Sequence, residues 1–230
     1  SASGSTDLLE ALGVEVELDG PAVAACVREA GVGFAFARMF HPCMRHVAPV
    51  RTELGIPTVF NVLGPLSHPG RVTRQVLGVS DPRLMSLVPE VLLRRGMDHA
   101  WVVHGSDGLD ELTTTGPTRV TVVRGGEVER FEVTPESVGL RRASLDEIAV
   151  GGPDENAAAA RDVLEGRPGP VRDMVLLNAA AGLVVADLAE DLRDGVERAG
   201  AAVDDGGALR VLGELVAVSR AASATDDDLG

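Results

Sequence analysis

Residues 41–66 read HPCMRHVAPVRTELGIPTVFNVLGPL, and the reading of the whole chain turns on them. The first half carries His41, Arg45, His46 and Arg51 on what the spacing predicts as a helix. After Pro57 an apolar run, Thr58–Leu63, predicts a buried strand that stops at a Gly64-Pro65 turn. His41, Met44, Val47 and Arg51 recur at intervals of three, three and four, so they share one helix face. Pro49 between them bends or breaks that helix. An arginine beside histidines, with no acid between, can hold a planar carboxylate through two parallel N–H bonds. Arg51 can also pair with Glu53 or a distant acid at the surface, an arrangement worth little. A basic segment inside a chain of net charge −14 needs a reason, and a small carboxylate-bearing substrate supplies one.

Composition narrows the class. The 230 residues suit one large α/β domain, or a domain with a small appendage. With 45% hydrophobic residues and no run near 18 apolar positions, a membrane span is not expected. The excess of 35 acidic over 21 basic residues argues against a nucleic-acid partner, which needs clustered cations. All the basic residues are arginine, so any carboxylate or phosphate must be met by Arg, His or backbone N–H groups. Cys26 and Cys43 lack zinc-type spacing and read as free thiols. No charged-then-apolar leader opens the sequence, and a cytoplasmic setting is expected.

Ser1–Thr6 is a small-residue loop before a helix that starts at Asp7, with Thr6 and Asp7 as candidate caps. Serines and glycine at a helix start can be a plain cap or a phosphate cradle. Val14–Leu18 alternates as a short strand, Ala22–Ala30 reads as a helix, and Gly31–Ala37 as a buried parallel strand. A strand over Arg71–Val79 and a helix from Asp81-Pro82 to Arg95 lead to an apolar strand, Ala100–His104. GSDGLDELTTTGPT (105–118) follows that strand. Ligands of open parallel sheets bind outside the carboxyl ends of strands, which places Asp107, Asp110 and Glu111 well. Adjacent carboxylates there can hold Mg²⁺ with phosphate and water completing the shell, or can be a solvated acidic turn. Val120–Val123 and Glu127–Val133, joined by Arg124-Gly-Gly, read as an antiparallel hairpin. Helices follow behind Gly151-Gly152, capped by Asp154 or Asn156, then over 172–186, 191–202 and 207–222. Asn156 and Asn178 read as core-helix residues rather than ligands. The expected fold is one α/β domain over 1–230, a mostly parallel sheet with helices on both faces and a short antiparallel hairpin.

Four pieces together resemble anthranilate phosphoribosyltransferase: SGSTDLLEALG (3–13), residues 41–66, HGSDGLDELTTTGPT (104–118) and RDMVLLNAAAG (172–182). The second piece separates this family from the pyrimidine nucleoside phosphorylases, which share the fold and a similar opening. Ser67-His68-Pro69, where the family more often has TNP, is a mild departure. The resemblance implies transfer of a phosphoribosyl group from 5-phosphoribosyl 1-diphosphate (PRPP) to anthranilate, the second step of tryptophan biosynthesis. It implies Arg51 at the anthranilate carboxylate, His41 beside the aromatic substrate, Ser1 and Ser5 over the sugar phosphate, and Asp110 with Glu111 as the Mg²⁺ ligands. It further implies a homodimer for the full-length parent, with the 38–56 segment packing against a helical N-terminal domain. The family's upstream motifs, GTGGD, NxST and KHGNR, do not occur in the 230 residues. The expectation is therefore a parent transferase, with this chain alone inactive or nearly so. Two other readings stand beside it, a pyrimidine nucleoside phosphorylase-like enzyme and a non-catalytic ligand-binding remnant.

Overall fold

The computed structural model describes residues 4–42, 53, 55 and 60–227. They fall into two compact units, Ser1–Pro69 with Val150–Gly166 and Asp205–Gly230, and Gly70–Ala149 with Arg167–Asp204.

The first unit is helical: α1 (Ser5–Ala11), α2 (Gly20–Ala30), α3 (Ala37–Phe40), α4 (Phe60–Leu66), α7 (Pro153–Leu164) and α10 (Gly207–Asp227), numbered in chain order. Asp19 caps α2 by accepting the Ala22 N–H at 2.9 Å, and Gly31 ends it with φ +78°, a conformation that favours glycine. Val14, Val16 and Leu18 bury one face against Cys26 and Ala30 of α2 and Leu215 of α10. Burial also pushes the Cys26 thiol up, which fits an inert packing residue.

The second unit holds the sheet: β1 (Arg74–Gly78), β2 (His99–Gly105), β3 (Thr118–Arg124) and β4 (Glu127–Val133), side by side in that order. Around it lie α5 (Leu84–Arg94), α6 (Leu145–Ile148), α8 (Pro170–Val185) and α9 (Leu192–Asp204). β1 and β2 are parallel; β2–β3 and β3–β4 are antiparallel. Every residue of β2 is buried, as a strand covered on both faces requires. Trp101 and Val103, with Val120 and Val122 opposite them, pack on Leu177, Ala180, Ala181 and Val185 of α8. Alternation turns Ala100, Val102 and His104 to the other face, and α5 packs on β2 and β3. The α/β class and the flanking helices are thus as the sequence predicts.

Several local expectations need correction. Among the described residues one strand pairing of three is parallel, so the sheet is mixed rather than mostly parallel. Val14–Leu18 alternates in burial but joins no described strand; the Glu15 N–H instead donates to Ser219 Oγ at 3.1 Å. Gly31–Ala37 is neither a strand nor buried. Gly33 lies so close to α2 that a β-carbon would stand 2.8 Å from Val27, so this segment folds back on its own helix. Phe60–Leu63, expected in a strand, begins α4, which carries Gly64-Pro65 inside it. A short apolar run cannot tell strand from buried helix by period alone. The α1 cap is Gly4, not Thr6 or Asp7; Asp7 reaches back to accept the Gly4 N–H at 2.8 Å. Gly152, with Pro153 behind it, caps α7 in place of Asp154 or Asn156.

Candidate functional site

The parallel pairing brings the carboxyl ends of β1 and β2 to the same edge of the sheet. His104 Nδ1 lies 2.7 Å from the Val79 carbonyl, which can only accept, so that nitrogen carries the proton. The Val79 N–H donates in turn to the Val103 carbonyl at 3.0 Å. The two strand ends are therefore tied together where the 105–118 loop leaves β2.

Within that loop Asp107 works as a spacer. Its Oδ2 accepts the hydroxyls of Thr113 and Thr115, both at 2.6 Å, and its Oδ1 accepts the Leu109 N–H at 3.1 Å. Burial pushes the Asp107 carboxyl up, yet these donors outweigh it and hold it below the usual carboxylate range. Thr113 N–H donates to Thr118 Oγ1 at 3.0 Å, and Ser106 N–H to the Pro117 carbonyl at 2.9 Å, closing the loop at its base. With its oxygens satisfied inside the protein, Asp107 is a structural carboxylate.

Asp110 and Glu111 are different. Both are exposed, and neither side chain has a hydrogen bond or ion pair among the described residues. Protein mass around Glu111 pushes its carboxyl up, and the negative charges of Asp110 and Asp107 add to the effect. Their backbone is held from two sides. The Asp110 carbonyl rests against Gly78 at the end of β1, at a distance no β-carbon could share. Leu112 is fixed by Asn178 of α8, which accepts its N–H at 2.9 Å and donates to its carbonyl at 2.8 Å. Two adjacent carboxylates without a countercharge among the described residues, held on a fixed backbone, suit a hard divalent cation. The pair is short of a complete protein cage, which fits Mg²⁺ sharing its shell with phosphate and water. Among the described residues no group of three or more His, Cys, Asp or Glu could hold a metal ion by itself.

The other predicted site residues belong to the helical unit or fall outside the described residues. Ser5, the first residue of α1, and His41, just after α3, belong to the helical unit. Ser1 and Arg51 fall outside the described residues, as do Met44 and Val47 of the 38–56 segment, while Met39 is exposed. The sequence reading assigns Gly78 and the threonine pair no part in the site, and takes Asn178 as a core-helix residue rather than a ligand, which agrees with its place on α8. Each left a signal, namely a glycine ending an apolar strand, a Thr-Thr-Thr run after the acids, and an amide inside a long apolar helix. Asn178 is half-buried, and the polar atoms of an amide turned inward need partners.

This chain, with its mixed sheet covered by helices, also matches a known family. The sequence profile described as "Glycosyl transferase family, a/b domain" matches residues 1–209, and the chain belongs to that family. Among its relatives are anthranilate phosphoribosyltransferases. That of Thermomicrobium roseum is 53% identical over 224 residues, covering 96% of this chain and 64% of the relative. That of Parvibaculum lavamentivorans is 51% identical over 219 residues, covering 95% of this chain and 64% of the relative. The crystal structure of the Thermus thermophilus enzyme superposes with a TM-score of 0.88 at 47% identity, over 94% of this chain and 64% of that one. A Saccharomyces cerevisiae anthranilate phosphoribosyltransferase in complex with PRPP and Mg gives a TM-score of 0.87 at 30% identity, over 95% of this chain and 63% of that one. The chain thus spans just under two thirds of the length of these relatives. Among the described residues no helix is long and apolar enough to cross a membrane.

Proposed function

We propose that the chain forms the α/β body of an anthranilate phosphoribosyltransferase, which moves the phosphoribosyl group of PRPP onto the amine of anthranilate and releases diphosphate. The observation that carries this reading is the Asp110–Glu111 pair, exposed, without a cationic partner among the described residues, and anchored at the joined ends of β1 and β2. In this reading Asp110 and Glu111 hold the cation that accompanies the diphosphate. Mg²⁺, when bound, supplies the charge neutralisation that lets diphosphate depart. Arg51 fixes the anthranilate carboxylate through paired N–H bonds, and His41 lies along the aromatic ring's path. Ser1 and Ser5 contact the sugar phosphate. As the bond from the ribose carbon to the diphosphate oxygen breaks, that carbon gains positive character, and the neutral aniline nitrogen attacks it and gives up one N–H proton to the departing diphosphate or to water. The reaction needs alignment and charge neutralisation rather than a nucleophilic side chain, and the acid pair with Arg51 meets that need. The reading carries with it a cytoplasmic enzyme, a homodimer for the complete protein, and packing of the 38–56 segment against a helical region upstream.

Substrate choice is the test. Anthranilate emission is followed with PRPP and Mg²⁺, and pyrimidine release from nucleosides with phosphate is followed in parallel. Two proteins are compared, the 230-residue chain and the same chain joined to the upstream region of the Thermomicrobium roseum relative. Mg²⁺-dependent loss of anthranilate emission in the joined protein, with little or none in the chain alone, is expected. Phosphorolysis of a pyrimidine nucleoside without use of anthranilate would replace the proposal by the phosphorylase reading, and no turnover of either by the joined protein would favour a non-catalytic remnant.

A further inference from the structure

Asn178 occupies the third turn of α8, among Leu176, Leu177, Ala180 and Ala181, all buried. Asn178 itself is half-buried, and its amide is bonded in a particular way. Its Oδ1 accepts the Leu112 N–H at 2.9 Å, and its Nδ2 donates both to the Leu112 carbonyl at 2.8 Å and to the Met174 carbonyl of its own helix at 3.0 Å. The carboxamide therefore pairs with both polar groups of one residue, as a neighbouring strand would. The Met174 carbonyl fixes its sense. Turned over, the amide would set Oδ1 against two carbonyls and its NH₂ against an N–H.

Leu112 is fully buried in the core that α8 shares with the sheet, so its backbone groups have no water to fall back on. It directly follows Glu111. The like charges of the adjacent Asp110 and Glu111 carboxylates repel one another, with no cationic partner among the described residues to offset that repulsion. A free loop would spread to relieve it. Here the spread is blocked on one side by Gly78 against the Asp110 carbonyl and on the other by Asn178 on Leu112. Asp107, engaged with Thr113 and Thr115, keeps the intervening turn from rotating.

We infer that Asn178 is a positioning residue for the cation site, holding the Asp110–Glu111 pair in its binding arrangement before any cation arrives. The inference rests on the proposed role of that pair. The partner that orients a metal-binding side chain commonly governs affinity by roughly 10- to 100-fold, and an amide clamped to the adjoining peptide can act the same way.

The test measures Mn²⁺ binding to the 230-residue chain by electron paramagnetic resonance, with Mg²⁺ competition, and melting temperature alongside. Asn178→Ala removes the clamp. Asn178→Asp keeps the volume and the acceptor for the Leu112 N–H but loses both donor bonds, and serves if the alanine variant does not fold. Val185→Ala, in the same core at the far end of α8, controls for simple destabilisation. Asp110→Asn with Glu111→Gln reports whether the pair binds the cation at all. The inference expects Mn²⁺ affinity to fall about 10-fold or more in the Asn178 variants. It expects affinity to hold in Val185→Ala even as melting falls, and faster hydrogen exchange at the Leu112 amide in the Asn178 variants only. Affinity unchanged in both Asn178 variants, while the acid-pair variant loses binding, would overturn the inference and leave the function reading standing. Affinity unchanged in the acid-pair variant would overturn both.

Discussion

At the scale of single residues the loop after β2 contains three acids doing two jobs. Asp107 is surrounded by donors and lies below the usual carboxylate range, whereas Glu111 has no donor among the described residues and is pushed up. A carboxyl whose folded value is raised destabilises the fold above that value. The cost is absent below the unfolded value and grows as pH rises between the two. Glu111→Gln should therefore raise the melting temperature at neutral pH, with the gain fading as pH falls through the carboxylate range. Melts at several pH values would check this, and an equal gain at every pH would refute the electrostatic cause. Under the proposed role of the pair, this stability would be gained at the expense of cation binding. His99 gives the opposite slope. It is buried, its Nε2 accepts the Trp101 indole N–H at 3.1 Å, and burial first, then Arg124, hold its imidazole below the ordinary histidine value. The unfolded chain then takes up the proton that the folded chain refuses, so stability is lost as pH falls below about 6.5 toward the folded value. His99→Gln keeps an acceptor for Trp101 and should flatten the melting curve across that window; an unchanged slope would assign the effect elsewhere. The sequence exposed the acids but not this division of roles, because Thr113 and Thr115 reveal themselves as donors to Asp107 only once the loop is closed.

At the scale of elements the reading succeeded where a pattern names its own partner and failed where it does not. Arg124-Gly-Gly dictates a hairpin, and β3 and β4 form one with Gly125 and Gly126 at φ +58° and +86°. Ala100–His104 is apolar at every position but the last, and β2 is buried throughout. Val14–Leu18 shows the limit: alternation states that one face is covered but not by what, and the covering partners are helices. Gly31–Ala37 resembles a buried strand in composition, yet Gly33 serves close approach to α2 instead. The acid pair's setting was legible as a strand end, while its fixation by α8 and β1 is a tertiary fact with no local pattern. Gly78 makes that fixation testable at the element scale. A methyl group there would strike the Asp110 carbonyl, which is backbone and cannot swing aside. Gly78→Ala should cost about 1–3 kcal/mol in chemical denaturation, as overpacking does. It should also weaken Mn²⁺ binding, because the carbonyl it displaces belongs to a proposed ligand residue. A stable variant with unchanged cation affinity would show that the β1 end does not hold the loop.

At the scale of the whole molecule the account joins two holding groups, an acid pair for the metal and diphosphate and an arginine for the aromatic acid. The first lies on a described loop; the second, Arg51, lies outside the described residues and rests on the resemblance. The net charge of −14 is compatible with the proposal, in which an acidic chain would meet an anionic sugar through a divalent cation rather than through a basic surface. The most direct measurement is the Mg²⁺ and substrate dependence of anthranilate turnover in the joined protein, comparing Asp110→Asn with Glu111→Gln against Arg51→Ala. The account predicts that loss of the acids abolishes the Mg²⁺-dependent rate, while Arg51→Ala weakens anthranilate use by about 2–3 kcal/mol and spares the apparent affinity for PRPP. Turnover that keeps its Mg²⁺ dependence without the acid pair, or an Arg51 variant that uses anthranilate normally, would contradict it.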